Sequence, residues 1–272
     1  MRPVVLSIAG SDSSCGAGAQ ADLKTFGALG CHGLTAITCI VAEIPGKVRS
    51  IQAVRPEIVR DQLEVLLGAY PVAAIKTGML FSAPIIRTVA SVLGVMRKRP
   101  PLVIDPVMVA SSGDPLLKDG AIRACRELLF PLASLITPNL DELGILTGTR
   151  PDSLDAMREA GKRLTAETGT AVLLKGGHLR GRTATDLLLL PDWEEHRYCA
   201  PFLRGVETHG TGCTYSAAIA AGLARGLPLP KAVGEAKRFI TRAIAGALTW
   251  GRVAALDQVQ GSSPRKTKAK AR

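Results

Sequence analysis

The sequence predicts an α/β fold: a mostly parallel sheet with helices on both faces. Three observations carry that reading. Short apolar runs of strand length alternate with amphipathic stretches of helix length over most of the chain. Hydrophobic residues make up 47% of the 272 positions and aromatics only 4%, a bias toward Ala, Val, Leu and Gly that suits buried strands under helices. No internal repeat or linker divides the chain, so residues 1–260 are expected to form one domain.

The elements follow in order. Pro3 to Ala9 is a buried strand feeding the loop Gly10 to Gly18, dense in glycine and small polar residues, and then a helix from about Ala19 to Leu29. Strand, glycine-rich loop and helix form a ligand-binding turn, yet no Lys-Ser/Thr follows as in a P-loop, and Gly16-Ala-Gly18 lacks the third glycine of a dinucleotide site. Asp12 suits a turn cap, and Asp22 stands one turn into the helix. Leu34 to Ala42 is a second strand. Glu43 at its exit is either a solvated loop residue or a site residue.

The alternation then becomes regular. Helices are expected over Pro56 to Ala69, Ala83 to Arg97, Ala121 to Leu129 and Asp155 to Thr168. Strands are expected over Val72 to Lys76, Pro101 to Ile104, Ser134 to Thr137 and Ala171 to Lys175. In a parallel sheet, ligands bind beyond the carboxyl ends of the strands. Lys76, Asp105, Asn139 and Glu142 would therefore gather on one edge. Ala184 to Leu190 and Arg197 to Ala200 read as an antiparallel hairpin. Pro230 to Leu248 carries a helical apolar stripe flanked by Lys237, which either snorkels or reaches a phosphate.

Between hairpin and last helix lies Glu207-Thr-His-Gly-Thr-Gly-Cys-Thr-Tyr-Ser216, followed by an Ala-rich helix from Ser216 to Ala224. Two glycines let a ligand approach the backbone, and a helix start offers unpaired amides at the positive end of its dipole. Cys213 near that start is expected to have a lowered thiol pKa. The same residues also suit an ordinary loop capped by Thr211 or Thr214, with Cys213 as filler.

Charge and cysteine narrow the class. The net charge is +11, but residues 261–272 contribute five cations and no acid, which reads as a disordered basic tail. The remaining excess suits phosphate handling and argues against a nucleic-acid partner. The six cysteines show no CxxC spacing, and Cys31, Cys39 and Cys125 sit among apolar residues, as reduced core thiols do. With no apolar run of membrane length or leader pattern, a cytoplasmic location and no membrane partner are expected.

Taken together, several stretches resemble the hydroxymethylpyrimidine/phosphomethylpyrimidine kinases of thiamine biosynthesis, in the ribokinase-like superfamily. They are Ile8 to Ser13, Gly16 to Phe26, Lys76 to Met79, Val103 to Met108, Ser112 to Leu116, Ile136 to Asn139, Lys175 to His178 and Thr208 to Thr214, in order across nearly the whole chain. The resemblance implies a three-layer α/β/α sandwich, phosphoryl transfer from ATP with Mg²⁺, a small-molecule aminopyrimidine acceptor and a homodimer. It implies that Gly210, Thr211, Gly212 and Cys213 form an anion hole for the transferring group. Cys213 would serve as base toward an alcohol, whereas a phosphate acceptor, with a second pKa of about 6, needs none. Asn139 and Glu142 match the element that positions Mg²⁺ and its waters, with Asp105 assisting. Lys175 and Lys237 would contact nucleotide phosphates, with Thr208 on the nucleotide side. Gly10, Asp22, Met79 and Val107 match the pyrimidine pocket.

Three positions depart from the family pattern: Cys15 for Gly or Ser, Glu207 for Asn, and Glu43 for the Gln of the pyrimidine pocket. An ionised Glu43 accepts from the ring's amino group but has no proton for the adjacent ring nitrogen, at a cost of about 1–3 kcal/mol. Weak activity on the free alcohol and a preference for its monophosphate are therefore expected. Two other readings compete: a pyridoxal kinase of the same family, and a non-catalytic nucleotide-binding regulator whose tail touches nucleic acid. Deleting 261–272 should leave KM for ATP unchanged, because the run has no large apolar residue to pack. A large rise in that KM would assign the tail a phosphate contact.

Overall fold

The computed structural model describes residues 1–108, 119–177, 179, 182–203 and 209–259. The expectations that fall on Ser112 to Leu116, His178, Glu207, Thr208 and the tail lie outside these residues. Nine strands form one sheet: β1 (Val4–Asp12), β2 (His32–Ile44), β3 (Lys47–Ala53), β4 (Val72–Thr77), β5 (Leu102–Ile104), β6 (Leu135–Ile136), β7 (Ala171–Gly176), β8 (Thr183–Leu189) and β9 (Glu195–Pro201). Their order is β3-β2-β1-β4-β5-β6-β7-β8-β9. The run from β2 to β7 is parallel, and β3, β8 and β9 add antiparallel edges. From β1 the chain goes first to one side, to β2, and later to the other, to β4. The strand order reverses there, so a cleft opens beyond the carboxyl ends of β1 and β4.

Among the described residues, eight α-helices cover the sheet: α1 (Gly18–Ala28), α2 (Pro56–Ala69), α3 (Ala83–Gly94), α4 (Asp119–Ala124), α5 (Leu140–Thr147), α6 (Leu154–Thr168), α7 (Thr211–Ala224) and α8 (Leu229–Ala245). The period-2 alternation of each strand divides the core in two. Leu6, Ile8, Ile75, Leu102, Ile104, Val172 and Leu174 face the side of α2 to α6. Val5, Ala74, Val103, Leu135 and Leu173 face α1, α7 and α8, and α7 contributes four alanines there, Ala217, Ala218, Ala220 and Ala221. Small side chains there let α7 lie close to the sheet. The fold is thus the three-layer sandwich the resemblance implies.

Several elements differ from the sequence reading. Strand β3 was not anticipated. It turns back on β2 through Pro45-Gly46, so Glu43 is not past a strand end but within a hairpin, paired with Val48. Helix α5 was also missed, although Asn139-x-x-Glu142 is the capping-box pattern: the Asn139 side chain accepts from the Asp141 and Glu142 amides, and Glu142 accepts from the Asn139 amide. Helix α7 starts at Thr211, five residues before Ser216, which puts Gly212 and Cys213 in its first turn. The expected Ala121 to Leu129 helix passes at Cys125–Leu129 into a π-helical turn. Helix α3 ends at Gly94 and α8 at Ala245, after which β10 (Leu248–Trp250) and β11 (Val253–Ala255) form a small hairpin.

Helix α1 is tied to the sheet by a buried charge pair. Lys76 Nζ on β4 lies 2.9 Å from Asp22 Oδ2, both side chains are 0% exposed, and Ser7 Oγ on β1 donates to the same carboxylate at 2.6 Å. Burial alone would lower the Lys76 pKa, but Asp22 and the neighbouring anions raise it, so the cation persists. Lys76→Met should lower folding stability by about 3–5 kcal/mol, because it strands Asp22, and Lys76→Met/Asp22→Leu should regain most of that loss. Urea denaturation measures both; a single variant as stable as the native protein would show that the pair does not hold α1.

Candidate active site

The cleft at the switch point is lined from several strand ends at once. Gly10, Ser11 and Asp12 come from β1, Val41 and Glu43 from β2, and Val48 and Ile51 from β3. Met79 follows β4, Asp105 and Val107 follow β5, Asn139 and Glu142 open α5, Lys175 ends β7, and Gly210, Gly212 and Cys213 open α7. Eleven of the fourteen sequence-predicted residues with described positions are among these: Gly10, Glu43, Met79, Asp105, Val107, Asn139, Glu142, Lys175, Gly210, Gly212 and Cys213.

The other three are placed differently. Asp22 does not line the pyrimidine pocket; α1 turns it toward the sheet, into the pair with Lys76 beneath the cleft. Lys237 does not reach the cleft as expected, because its ammonium is 2.6 Å from the buried Asp186, which also accepts from the Gly176 amide. Thr211 begins α7 but is not part of the lining.

The start of α7 has no side-chain cap. Gly210 ahead of it has φ +80°, and a Cβ there would overlap the carbonyl oxygen of Gly16, so the loop before α7 rests directly on the β1–α1 loop. Amides and dipole at this end point into the cleft, the arrangement that holds an anion. Ser216 Oγ, one turn on, lies 3.2 Å from Asp105 Oδ2 and ties the helix to β5.

Below that turn, Lys175 Nζ lies 2.9 Å from Asp105 Oδ1. Burial would raise the Asp105 pKa, but Lys175 and Lys76 outweigh it and keep the carboxylate ionised. Glu142 is shifted the other way, by burial and by Asp105, against Lys175 and two backbone donors. These donors are the Met108 amide at 3.3 Å from Oε1 and the Asn139 amide at 2.9 Å from Oε2. Two buried carboxylates thus compete for one lysine. A divalent cation would relieve that competition, so the donor set fits Mg²⁺.

Cys213 corrects the sequence reading. Burial raises its thiol to about 11; Lys76 and the Gly18 amide pull it down, while Asp22 and Asp105 push it up. The helix start does not produce a thiolate here, because the surrounding protein desolvates the half-buried thiol and two carboxylates face it.

At the opposite wall stands a group that sequence reasoning left unassigned. Asp12 accepts from the Ser14 amide (2.7 Å), the Ala17 amide (2.7 Å) and Ser14 Oγ (3.0 Å), and its Oδ2 is 3.0 Å from His209 Nε2. Burial opposes ionisation of Asp12, but these bonds outweigh it and bring its pKa to about 2. With Asp12 ionised, His209 donates. The bond clasps the β1–α1 loop to the loop before α7. His209 lies inside the His-Gly-Thr-Gly motif, which was the available signal. Glu43 joins this group: ligand atoms of Asp12, Glu43 and His209 lie within 4.8 Å of one another.

With this geometry, comparison with known proteins becomes informative. Residues 12–256 match the phosphomethylpyrimidine kinase family. The chain belongs to that family. The thiamine biosynthesis bifunctional protein ThiED of Geobacter sulfurreducens is 46% identical over 92% of this chain, which spans 51% of the relative's length. A hydroxymethylpyrimidine/phosphomethylpyrimidine kinase of Rhizobium meliloti is 46% identical, over 91% of this chain and 92% of its own. An ADP complex of Bacillus subtilis pyridoxal kinase superposes with a TM-score of 0.87 at 36% identity, covering 95% of this chain and 98% of that one. Among the described residues, no helix is long and apolar enough to cross a membrane.

Gly212 is the tightest test of the site. A Cβ there would lie 3.3 Å from both Asp105 Oδ2 and Lys175 Nζ, on the cleft side of the helix turn. Gly212→Ala should lower turnover by two orders of magnitude or more, about the effect of losing one oxyanion donor, while thermal unfolding stays near native. Near-normal turnover would remove this turn from the site.

Proposed function

We propose that this chain transfers the terminal phosphoryl group of ATP to an aminopyrimidine of thiamine biosynthesis, with phosphomethylpyrimidine as the main acceptor. The observation that carries the reading is the convergence of an uncapped helix start, a Lys175–Asp105–Glu142 charge cluster and the Cys213 thiol on one cleft. Phosphoryl transfer needs positioning and charge compensation more than covalent chemistry, and these groups supply both.

The amides of Gly212 and Cys213 face the transferring group and stabilise the charge on its oxygens. Lys175 and Asn139 hold the nucleotide phosphates. Glu142 and Asp105 hold Mg²⁺ and its waters; when bound, the ion neutralises phosphate charge. Gly10, Met79 and Val107 enclose the ring, with Glu43 at its polar edge. Lys237, already engaged by Asp186, is left outside this set.

Protonation separates the two acceptors. A phosphate oxygen is already largely ionised at neutral pH and needs no base. An alcohol must lose a proton, and Cys213 is placed to take it only as a thiolate. With a thiol near 11, that form grows with pH.

The reading is tested by kcat/KM for the free alcohol, its monophosphate and pyridoxal. The monophosphate is expected to lead. A dominant pyridoxal activity would favour the second reading, which the resemblance to a pyridoxal kinase structure and the absence of a Gln at position 43 both support. For the alcohol, kcat at saturation should rise with pH from neutrality, and Cys213→Ala should cut it more than the kcat for the monophosphate. Equal losses on both acceptors would mean that Cys213 acts through geometry alone.

A further inference from the structure

We propose that Glu43 and the aminopyrimidine ring bind as a one-proton pair, so that the complex takes up a proton as the ring enters at alkaline pH. The inference rests on the reading of the acceptor as an aminopyrimidine.

The position is built. Glu43 sits in the β2–β3 hairpin, and its backbone is clamped on both sides by one residue of the β1–α1 loop. The Glu43 amide donates to Ser13 Oγ at 2.9 Å, and that hydroxyl donates to the Glu43 carbonyl at 2.8 Å. Its neighbours in the lining, Val41 and Val48, are apolar. The backbone of Glu43 is therefore held in place before any ligand arrives, and Asp12 and His209 stand beside its carboxyl.

The charges around it decide its protonation. Asp12 faces it from β1 and His209 from the loop before α7. On its own strand, Cys39 is a neutral thiol raised to about 11, mainly by burial. On β3, Val48 is its register partner, a bulge at Arg49 interrupts the pairing, and the charges that act on Glu43 are Asp12 and His209. Asp12 is bound by four donors and keeps its negative charge. The nearby acid that can take up a proton is therefore Glu43. Burial first and Asp12 second raise it to about 6, against a smaller opposing pull from His209.

A 4-aminopyrimidine presents an amino donor beside a ring-nitrogen acceptor. A carboxylic acid answers both, since its carbonyl accepts and its hydroxyl donates. A carboxylate answers both only if the ring nitrogen carries the proton. With no proton, an acceptor faces an anion; with two, a donor faces a donor. The stable pair holds one proton on either partner. The ring nitrogen is itself a weak base titrating near the same range, so the proton lies between matched groups. Above both pKa values the affinity falls tenfold per pH unit, and below both it falls again. The penalty at alkaline pH falls on the ring common to both acceptors, and only the monophosphate has a second anchor to offset it.

Calorimetry decides this, using an aminopyrimidine with a methyl group in place of the hydroxymethyl, so that no turnover occurs. Titrations at pH 8 in two buffers of different ionisation enthalpy count the protons taken up. The native protein should take up close to one, and its Kd should rise about tenfold per unit between pH 7.5 and 9. Glu43→Gln, whose amide fits the neutral ring, should take up none and hold a flat Kd. Tight binding by the native protein with no proton uptake would overturn the inference alone, as would uptake that persists in Glu43→Gln. Should the variant fail to fold, the native proton count still decides. If neither protein binds the pyrimidine at any pH while pyridoxal binds, the substrate reading falls, and this inference with it.

Discussion

The Asp105–Lys175 ion pair is the contact on which the rest of this site depends. It spans the ends of β5 and β7, 70 residues apart in sequence, and both groups are shielded from water. Buried charges of this kind are held only when paired and hydrogen-bonded, so the sheet edge cannot shift without stranding one of them. Asp105 also accepts from Ser216, so the pair fixes where α7 begins relative to the strands. Lys175 is shared with Glu142, whose oxygens accept from the Asn139 amide at the start of α5 and from the Met108 amide. One cation therefore orients two helix starts. The Asp22–Lys76 pair repeats the device beneath α1.

Close backbone approach is the second constraint. The loops before α1 and α7 touch at Gly16 and Gly210, and the His209–Asp12 bond closes them from the side. A side chain at Gly210 would separate the loops and turn the start of α7 away from the cleft. The alanines of α7 act in the same direction, since they bring its axis near the sheet that carries the charges. Anion binding at a helix start falls off within a turn, so these short distances matter for chemistry as well as for packing.

Within one cleft, two ionisable groups are tuned by different balances. Cys213 lies half-buried on the floor, where desolvation outweighs nearby Lys76 and leaves a neutral thiol. Glu43 lies at the rim, half-buried, beside an anion that keeps its own charge, and so titrates close to neutrality. The floor thus favours acceptors that are already ionised, and the rim makes ring recognition responsive to pH. The first favours a phosphorylated acceptor over its free alcohol at neutral pH, and the second acts on the ring that both acceptors share.

The sequence by itself determined the layer architecture, most helix and strand positions, and the residues gathered at the strand ends. These are legible because burial on both faces imposes apolar runs on strands and a 3.6-residue stripe on helices. The capping box at Asn139 and Glu142 was equally written there, as a local pattern. Tertiary structure decided the rest. Strand β3 is mostly exposed and carries no apolar run, so only its pairing with β2 defines it. That pairing turned Glu43 from a loop residue into a wall of the cleft. Asp22 and Lys237 were assigned to ligands, but each found a buried partner from a distant strand, Lys76 and Asp186. The expectation for Cys213 failed for the same reason. Helix position lowers a thiol pKa, whereas burial raises it, and burial is set by elements far away in sequence.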